Sequence, residues 1–284
     1  MPIKKLALRL LLPGFCLGLV ACGAPAISVD QHLAEPGSKA AAKVVFLAGP
    51  DSHGPLAHEH QAGSELLAAA LRERRTDIET VNVYGGWPED ESVLVGADAL
   101  VMYCDGGRGH LINQHLEAFN RLLDEGVGVV ALHYCVEVPK GSSSATAMLR
   151  ATGGYFETDW SVNPHWEAVF TSLPEHPITT GIKPFALLDE WYFNMRFADT
   201  GVTPILSAIA PPETMSRKNG PHSGNDAVRK MVADGVPQVT AWSLERAGGG
   251  RGFGFTGGHF HENWQNDNAR NLVLNAIEWV AKLP

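Results

Sequence analysis

Histidine is the residue type in this chain best suited to chemistry. There are twelve, and seven of them stand just beyond apolar, strand-like runs. His53, His58 and His60 follow KVVFLA (43–48), His110 follows ALVMYC (99–104), and His133 ends VGVVALH (127–133). His259 and His261 follow GFGFT (252–256). Carboxylates accompany them: Glu59 inside His58-Glu59-His60, Asp105 heading Asp-Gly-Gly, the Asp189-Glu190 pair, and Glu262. Neutral imidazoles with a carboxylate form a donor set for a borderline cation such as Zn²⁺. Spacing alone leaves the role open. His58-Glu59-His60 is not HExxH, whose two histidines share one helical face, and a hydrogen-bonding or acid–base role fits it equally well.

Two other residue types bear on the chemistry. Cys135 lies two residues past His133, but ALHYCV (131–136) lacks the flanking glycines of a nucleophile elbow. The residue at the strand tip is His133, a base or ligand rather than a thiol nucleophile. Trp87, Trp160, Trp166, Trp191 and Trp264 fall in loop-like segments or beside the polar motifs. A flat indole in a wet cleft can stack on the C–H face of a sugar ring, and the same five can equally close the core beneath long loops.

These residues need a scaffold, and the pattern of apolar runs implies one. Strands are expected at Lys43–Ala48, Ile78–Tyr84, Ala99–Cys104, Val127–His133 and Gly252–Thr256. Helices are expected at Glu59–Arg74, around Leu116, Phe119, Leu122 and Leu123 with Gly126 as the stop, and at Asn268–Lys282. Strand–helix–strand alternation at this spacing implies right-handed parallel crossovers. The expected fold class is therefore α/β: a three-layer open sheet, mostly parallel, as one domain over residues 43–284. Ligands of such sheets bind beyond the carboxyl ends of the strands, where the seven histidines are expected to gather. Residues 136–165 and 211–238, rich in Gly, Ser, Pro and Asn, read as long loops.

Charge and the N-terminus narrow the class further. The 284-residue chain is 45% hydrophobic with a formal charge of -9, too apolar for a disordered protein. Residues 1–21 have Lys4, Lys5 and Arg9 ahead of an apolar run that ends in Leu19-Val20-Ala21-Cys22, the pattern of a lipoprotein signal peptide. Cleavage there would expose Cys22 for lipidation and leave a net charge of -12, against the basic stripe that nucleic-acid binding requires. Residues 22–42 then read as a lipidated, flexible tether. With Gly23 rather than Asp after Cys22, the expected location is the outer membrane of a bacterial envelope, facing the periplasm and attached by lipid only. Cys104 and Cys135 remain in the mature chain, as a disulfide or as two buried thiols.

Seven stretches together resemble the trehalose-utilisation, or ThuA-like, family, which has a class I glutamine-amidotransferase-like, flavodoxin-like fold. They are SHGPLAHEHQAG (52–63), YCDGGRGH (103–110), GVGVVALHY (126–134), HPITTGI (176–182), DEWYFNMRF (189–197), GFGFTGGHFHENW (252–264) and VLNAIEWVAK (273–282). The resemblance implies carbohydrate catabolism without the amidotransferase cysteine, and a divalent metal, Zn²⁺ foremost, held by His133, Glu190 and His259. It also implies His133, Glu190 and Asp105 as catalytic with His58 and His60 around them as substrate contacts, to which the residue reading adds Trp87, Trp191, Tyr192, His261 and Trp264. No nucleotide cofactor is expected. The implied partner is a small sugar or keto-sugar, undergoing hydrolysis, isomerisation or lyase chemistry. A non-catalytic lipoprotein that binds carbohydrate or metal is the alternative. The NPHWEAVF segment (163–170) and His261 look like additions to the family pattern.

Overall fold

The computed structural model describes residues 26–34 and 40–284. The expected signal peptide (1–21) and Cys22 lie outside the described residues. The elements run β1 (Ser28–His32), β2 (Ala42–Ala48), α1 (His60–Arg74), β3 (Ile78–Tyr84), β4 (Ala99–Tyr103), α2 (Leu116–Asp124), β5 (Gly128–Leu132), α3 (Ser143–Thr152) and β6 (Gly154–Tyr155). They continue with β7 (Trp166–Phe170), β8 (Phe185–Asp189), β9 (Arg196–Phe197), β10 (Val202–Ala208), α4 (Asp226–Ala233), β11 (Gln238–Glu245), β12 (Arg251–Phe255) and α5 (Asp267–Val280).

Eight strands form the central sheet in the order β1-β3-β2-β4-β5-β12-β11-β10. β3, β2, β4, β5 and β12 are parallel to one another, and β1, β11 and β10 pair antiparallel at the two sides. The expected open, mostly parallel α/β sheet is therefore what forms. Alternation along its strands shows three layers. Val44, Phe46, Val101 and Val130 point to the face covered by α1 and α5, where Leu67, Leu71, Leu272 and Ile277 meet them. Val45, Leu47, Leu100 and Val129 point to the other face, against Phe119, Leu122 and Met148 of α2 and α3. Burial on both faces is why these strands read as unbroken apolar runs.

Three local expectations are corrected. Residues 22–42, expected as a tether, contain β1, whose Ser28–His32 pairs with Thr80–Tyr84 as an exposed edge strand. Segment 136–165 contains α3: Ser142 caps the Ala145 N–H, and Ala145, Met148 and Ala151 are buried. The serines that looked like loop residues thus start a helix. In segment 211–238, Asn225 caps Val228 N–H and starts α4 in the same way. Among the described residues no helix is long and apolar enough to cross a membrane.

The strand order reverses between β2 and β4, since the chain leaves β2 toward β3 on one side and returns to β4 on the other. Such a switch point opens a crevice at the carboxyl ends of the strands. The loops after β2, β4, β5 and β12 meet there.

Candidate metal centre and its cleft

Four side chains from four connections converge at that crevice: His58 after β2, His133 at the tip of β5, Glu190 after β8, and His259 after β12. His58 Nε2 lies 3.0 Å from both His133 Nε2 and His259 Nδ1. Glu190 Oε2 is 3.1 Å from His259 Nδ1 and 3.6 Å from His133 Nε2. A tetrahedral cation with arms of 2.0–2.1 Å has donor–donor edges of about 3.3 Å, and these four contacts bracket that length.

The backbone is shaped to bring the rings together. His58 has φ 48° and His133 has φ 52°, left-handed values that cost a non-glycine residue on the order of 1–3 kcal/mol. Packing holds them there. His58 N–H donates to the His259 carbonyl (3.0 Å), which ties the first loop to the last. After β12 the chain turns through Gly258 at φ +102°, so the consecutive N–H groups of Gly258 and His259 both reach the Asp189 carboxylate, at 2.7 and 3.0 Å. Asp189 also accepts from Glu190 N–H (2.7 Å) and Asn263 Nδ2 (2.9 Å). One buried carboxylate therefore positions both Glu190 and His259. Gly106 fills a different need: a Cβ there would stand 2.3 Å from the Tyr134 carbonyl oxygen, so only glycine lets the Asp105 loop lie against the chain after β5.

Hydrogen-bond partners set the imidazole tautomers. His133 Nδ1 faces the Thr256 carbonyl at 2.9 Å and must carry the ring's proton. His58 Nδ1 faces Asp105 Oδ1 at 3.1 Å and does the same, while Ser52 Oγ donates to that oxygen at 2.7 Å. Both Nε2 atoms thus turn lone pairs toward the common centre, with the carbonyl and carboxylate partners typical of ligating histidines. Burial lowers the pKa of both rings, and the neighbouring histidines lower it further, so both stay neutral and able to ligate. Tyr192 Oη lies 3.2 Å from His133 Nε2 and 3.3 Å from Glu190 Oε2, and burial holds its phenol well above the usual pKa, as a donor.

Two of the four donors, His58 and Glu190, line a cavity of about 290 Å³ together with His53, Tyr134, Asn163, Tyr192, Arg217 and His222. Asn163 Nδ2 donates to Glu190 Oε1 (3.0 Å), and Arg217 Nη2 donates to Asn163 Oδ1 (2.8 Å). Larger grooves exist, one of about 600 Å³ beside Asp124, Arg150 and Arg246, but it lies at the opposite end of the sheet, away from the four-donor cluster.

The structure brings His133, Glu190 and His259 together and sets His58 beside them as a fourth donor, on a residue that also lines the cavity. Asp105 does not line the cavity: its Oδ1 is held by Ser52 and His58, where it orients the His58 ring. His60 is fully buried behind the cluster, its Nδ1 on the Pro50 carbonyl at 2.8 Å. His261 turns toward Glu59 (3.6 Å) and does not line the cavity. Neither lines the cavity. His110 leaves the expected group altogether: its Nε2 binds the Cys135 carbonyl at 2.8 Å on the other face of the sheet. Cys104 and Cys135 are buried free thiols.

Indole stacking on sugar is corrected for Trp87, Trp191 and Trp264. Each is buried among core side chains, which leaves no open indole face for a sugar. Trp191 meets Phe170 and Phe255 edge-on beneath Gly257, and its Nε1 donates to the Leu187 carbonyl. Trp87 stacks on His115. Trp264 packs against Tyr103 and Phe255. Tyr192 alone of the expected aromatic contacts reaches the cavity. Sequence reasoning missed Tyr134, Arg217, His222 and Glu137, which sit in connections without periodic signal. Asn163 and His165 belong to the NPHW segment; His165 Nε2 comes within 3.7 Å of Glu190 Oε1.

Comparison with known proteins agrees with this fold. The ThuA family, described as trehalose utilisation, matches residues 45–280. A ThuA-like protein from Bacteroides uniformis is 17% identical, with a TM-score of 0.56 over 91% of this chain and 95% of that one. A ThuA-like protein from Parabacteroides merdae is 16% identical, with a TM-score of 0.57 over 84% of this chain and 90% of that one. Both likenesses are of fold. No curated protein matches the chain. With the family matched along nearly the whole α/β domain, the chain belongs to the ThuA family, the family of trehalose utilisation.

Proposed function

We propose that this protein is a carbohydrate-active enzyme whose cleft binds a divalent cation, Zn²⁺ foremost, through His58, His133, His259 and Glu190. The observation that carries this reading is the pair of neutral imidazoles whose Nε2 lone pairs face each other at 3.0 Å. Each ring's proton is committed on its far side, so no proton lies between them, and a cation at the centre removes the repulsion. When bound, that cation supplies Lewis-acid polarisation of a carbonyl, hydroxyl or water oxygen in the cleft.

The chain's own residues do the rest. Asp105, the Thr256 carbonyl and Asp189 hold the ligating groups in orientation. Tyr192, Asn163 and Arg217 present hydroxyl, amide and guanidinium groups along a cavity suited to a polyhydroxylated ligand such as a sugar or keto-sugar. Hydrolysis and lyase chemistry fit this arrangement, as does isomerisation. His133 and Glu190, with their inward lone pairs directed at the cation position, are holders rather than proton carriers. The lipoprotein pattern ending at Cys22 supports lipid attachment to a bacterial envelope membrane, and the acidic net charge supports a sugar rather than a nucleic acid as partner.

The test is metal analysis of the purified protein by plasma mass spectrometry, joined to incubation with oxidised and unoxidised disaccharides. About one divalent ion per chain and a changed sugar are expected. Absence of metal together with unchanged sugar overturns the proposal. Metal and sugar binding without turnover would instead favour a non-catalytic carbohydrate-binding lipoprotein.

A further inference from the structure

The four-donor cluster leaves its cavity without an evident proton carrier. His58, His133, His259 and Glu190 turn their free atoms toward one another, Asp105 is held by Ser52 and His58, and Asp189 is buried under four N–H groups. One ionisable pair on another wall of the cavity is differently arranged.

His222 Nε2 sits between both oxygens of Glu137, at 3.0 and 3.1 Å. Glu137 is buried, 4% exposed, and its backbone is fixed at both ends: its N–H donates to the Tyr134 carbonyl and its carbonyl accepts from Gly107 N–H. The His222 ring lies nearly flat on Phe156, with centroids 5.2 Å apart and planes at 21°. The His222 carbonyl is held in turn by Asn163 N–H and Arg217 Nη2. The ring is thus fixed by a carboxylate, an aromatic face and its own backbone. Its Nδ1 has no hydrogen-bond partner among the described residues, and the residue lines the cavity that Glu190, His58 and Tyr192 close on the cluster side. A carboxylate-anchored imidazole with one nitrogen unpartnered, on a residue that lines a ligand-sized cavity, is the arrangement of an acid–base group.

We propose that His222, positioned by Glu137, is the general acid of this cleft and protonates the oxygen that leaves the sugar. The proposal rests on the reading of the cavity as a sugar site and extends it, since it favours cleavage of a C–O bond over isomerisation. The imidazolium gives its Nδ1 proton to the leaving oxygen as the C–O bond breaks and keeps Nε2–H on Glu137. In hydrolysis, water adds its hydroxyl to the carbon, and its remaining proton returns to Nδ1. Electrostatics favours the charged starting state. The Glu137 hydrogen bond raises the His222 pKa above its ordinary value, with help from the Glu190 charge and against partial burial and Arg217. Tyr134, Tyr192, His53 and His58 are the other titratable groups along the cavity.

The test uses the full chain, 4-nitrophenyl and methyl glucosides in oxidised and unoxidised forms, and the variants His222→Gln and Glu137→Gln. A methyl alcohol needs a proton to leave and 4-nitrophenolate does not. His222→Gln is therefore expected to lose about 100- to 10,000-fold on methyl glycosides and far less on nitrophenyl glycosides, with metal content unchanged. Glu137→Gln is expected to move the alkaline limb of kcat/KM to lower pH. Equal losses on both leaving groups, or none, overturn the general-acid role while leaving the metal-site reading intact. Wild-type protein that binds metal but cleaves no glycoside overturns the role together with the sugar-cleavage reading, and the metal count separates that result from failure of the metal site. Imidazole ¹⁵N NMR gives a substrate-free check. A single Nε2–H tautomer titrating above ordinary histidine and falling in Glu137→Gln is expected, and free-histidine behaviour overturns the proposal.

Discussion

The Nε2 atoms of His58 and His133 lie 3.0 Å apart, although each ring holds its single proton on the opposite nitrogen, against Asp105 and the Thr256 carbonyl. The two residues are separated by 75 positions in sequence, and each adopts a left-handed backbone to reach the contact. Strain and lone-pair repulsion at one point are tolerated where binding repays them, and this pair marks the site more specifically than the number of histidines does.

Loss of a donor and loss of its support have different sizes. Asp105→Asn keeps the shape but weakens the orientation of His58, and is expected to lower Zn²⁺ affinity about 10- to 100-fold. His58→Ala removes a donor and is expected to cost more than that. Calorimetric titration of metal-stripped protein with Zn²⁺ measures both, and equal affinity for wild type and Asp105→Asn counts against the proposed support.

Asp189 links stability to the site. Alanine there leaves the N–H groups of Glu190, Gly258 and His259 without their acceptor in a buried setting. The expected cost is about 3 kcal/mol or more, read as a lowered urea midpoint, together with loss of bound metal. Asp189→Asn retains one acceptor oxygen and is expected to lose less on both measures.

Acid lability follows from His110. It is fully buried, and desolvation pushes its pKa down to about 4, against the single favourable bond to the Cys135 carbonyl. Above about pH 6.5 folded and unfolded chains both carry it neutral. Between about 6.5 and 4 only the unfolded chain takes up the proton, so stability falls as pH falls, and the loss levels off near 3 kcal/mol once both states are charged. His58, His60 and His133, also lowered by burial, act in the same direction. His110→Gln is expected to flatten the decline of unfolding free energy between pH 6.5 and 4, whatever its effect at neutral pH. An unchanged slope in urea melts across that range contradicts the assignment.

Gly106→Ala tests how the loops after β4 and β5 are held together. The new Cβ would meet the Tyr134 and Glu137 carbonyl oxygens at 2.3 and 2.8 Å, backbone atoms with no room to yield. Overpacking of this kind costs about 1–3 kcal/mol. Because Asp105 and Glu137 sit on the two displaced segments, metal affinity and the His222–Glu137 pair are both expected to weaken. A thermal melt and Zn²⁺ titration like those of wild type would show that the loops move apart freely.

The parallel strands and their helices were legible because buried strands write continuous apolar runs, and α1, α2 and α5 write helical spacing. The edge strand β1 and helices α3 and α4 were not. β1 is exposed along most of its length and writes no apolar pattern, while Ser142 and Asn225 are helix caps that look like loop residues when read alone. The tryptophans misled for a related reason: burial of Trp191 and Trp264 depends on the strands and turns that close over them, which no local window contains.

Sequence by itself determined the fold class and the end of the sheet where most of these histidines gather, and the resemblance to the family's motifs pointed to His133, Glu190 and His259 as candidates for one site. Only the tertiary structure decided roles. It separated His58 from His60, although they are two residues apart, because a left-handed turn aims one ring at the centre and the helix start buries the other. It also brought His222, from a loop without pattern, onto Glu137. A donor's identity is local, but the direction of its lone pair is set by partners up to 201 residues away, and direction is what makes a cluster of histidines a site.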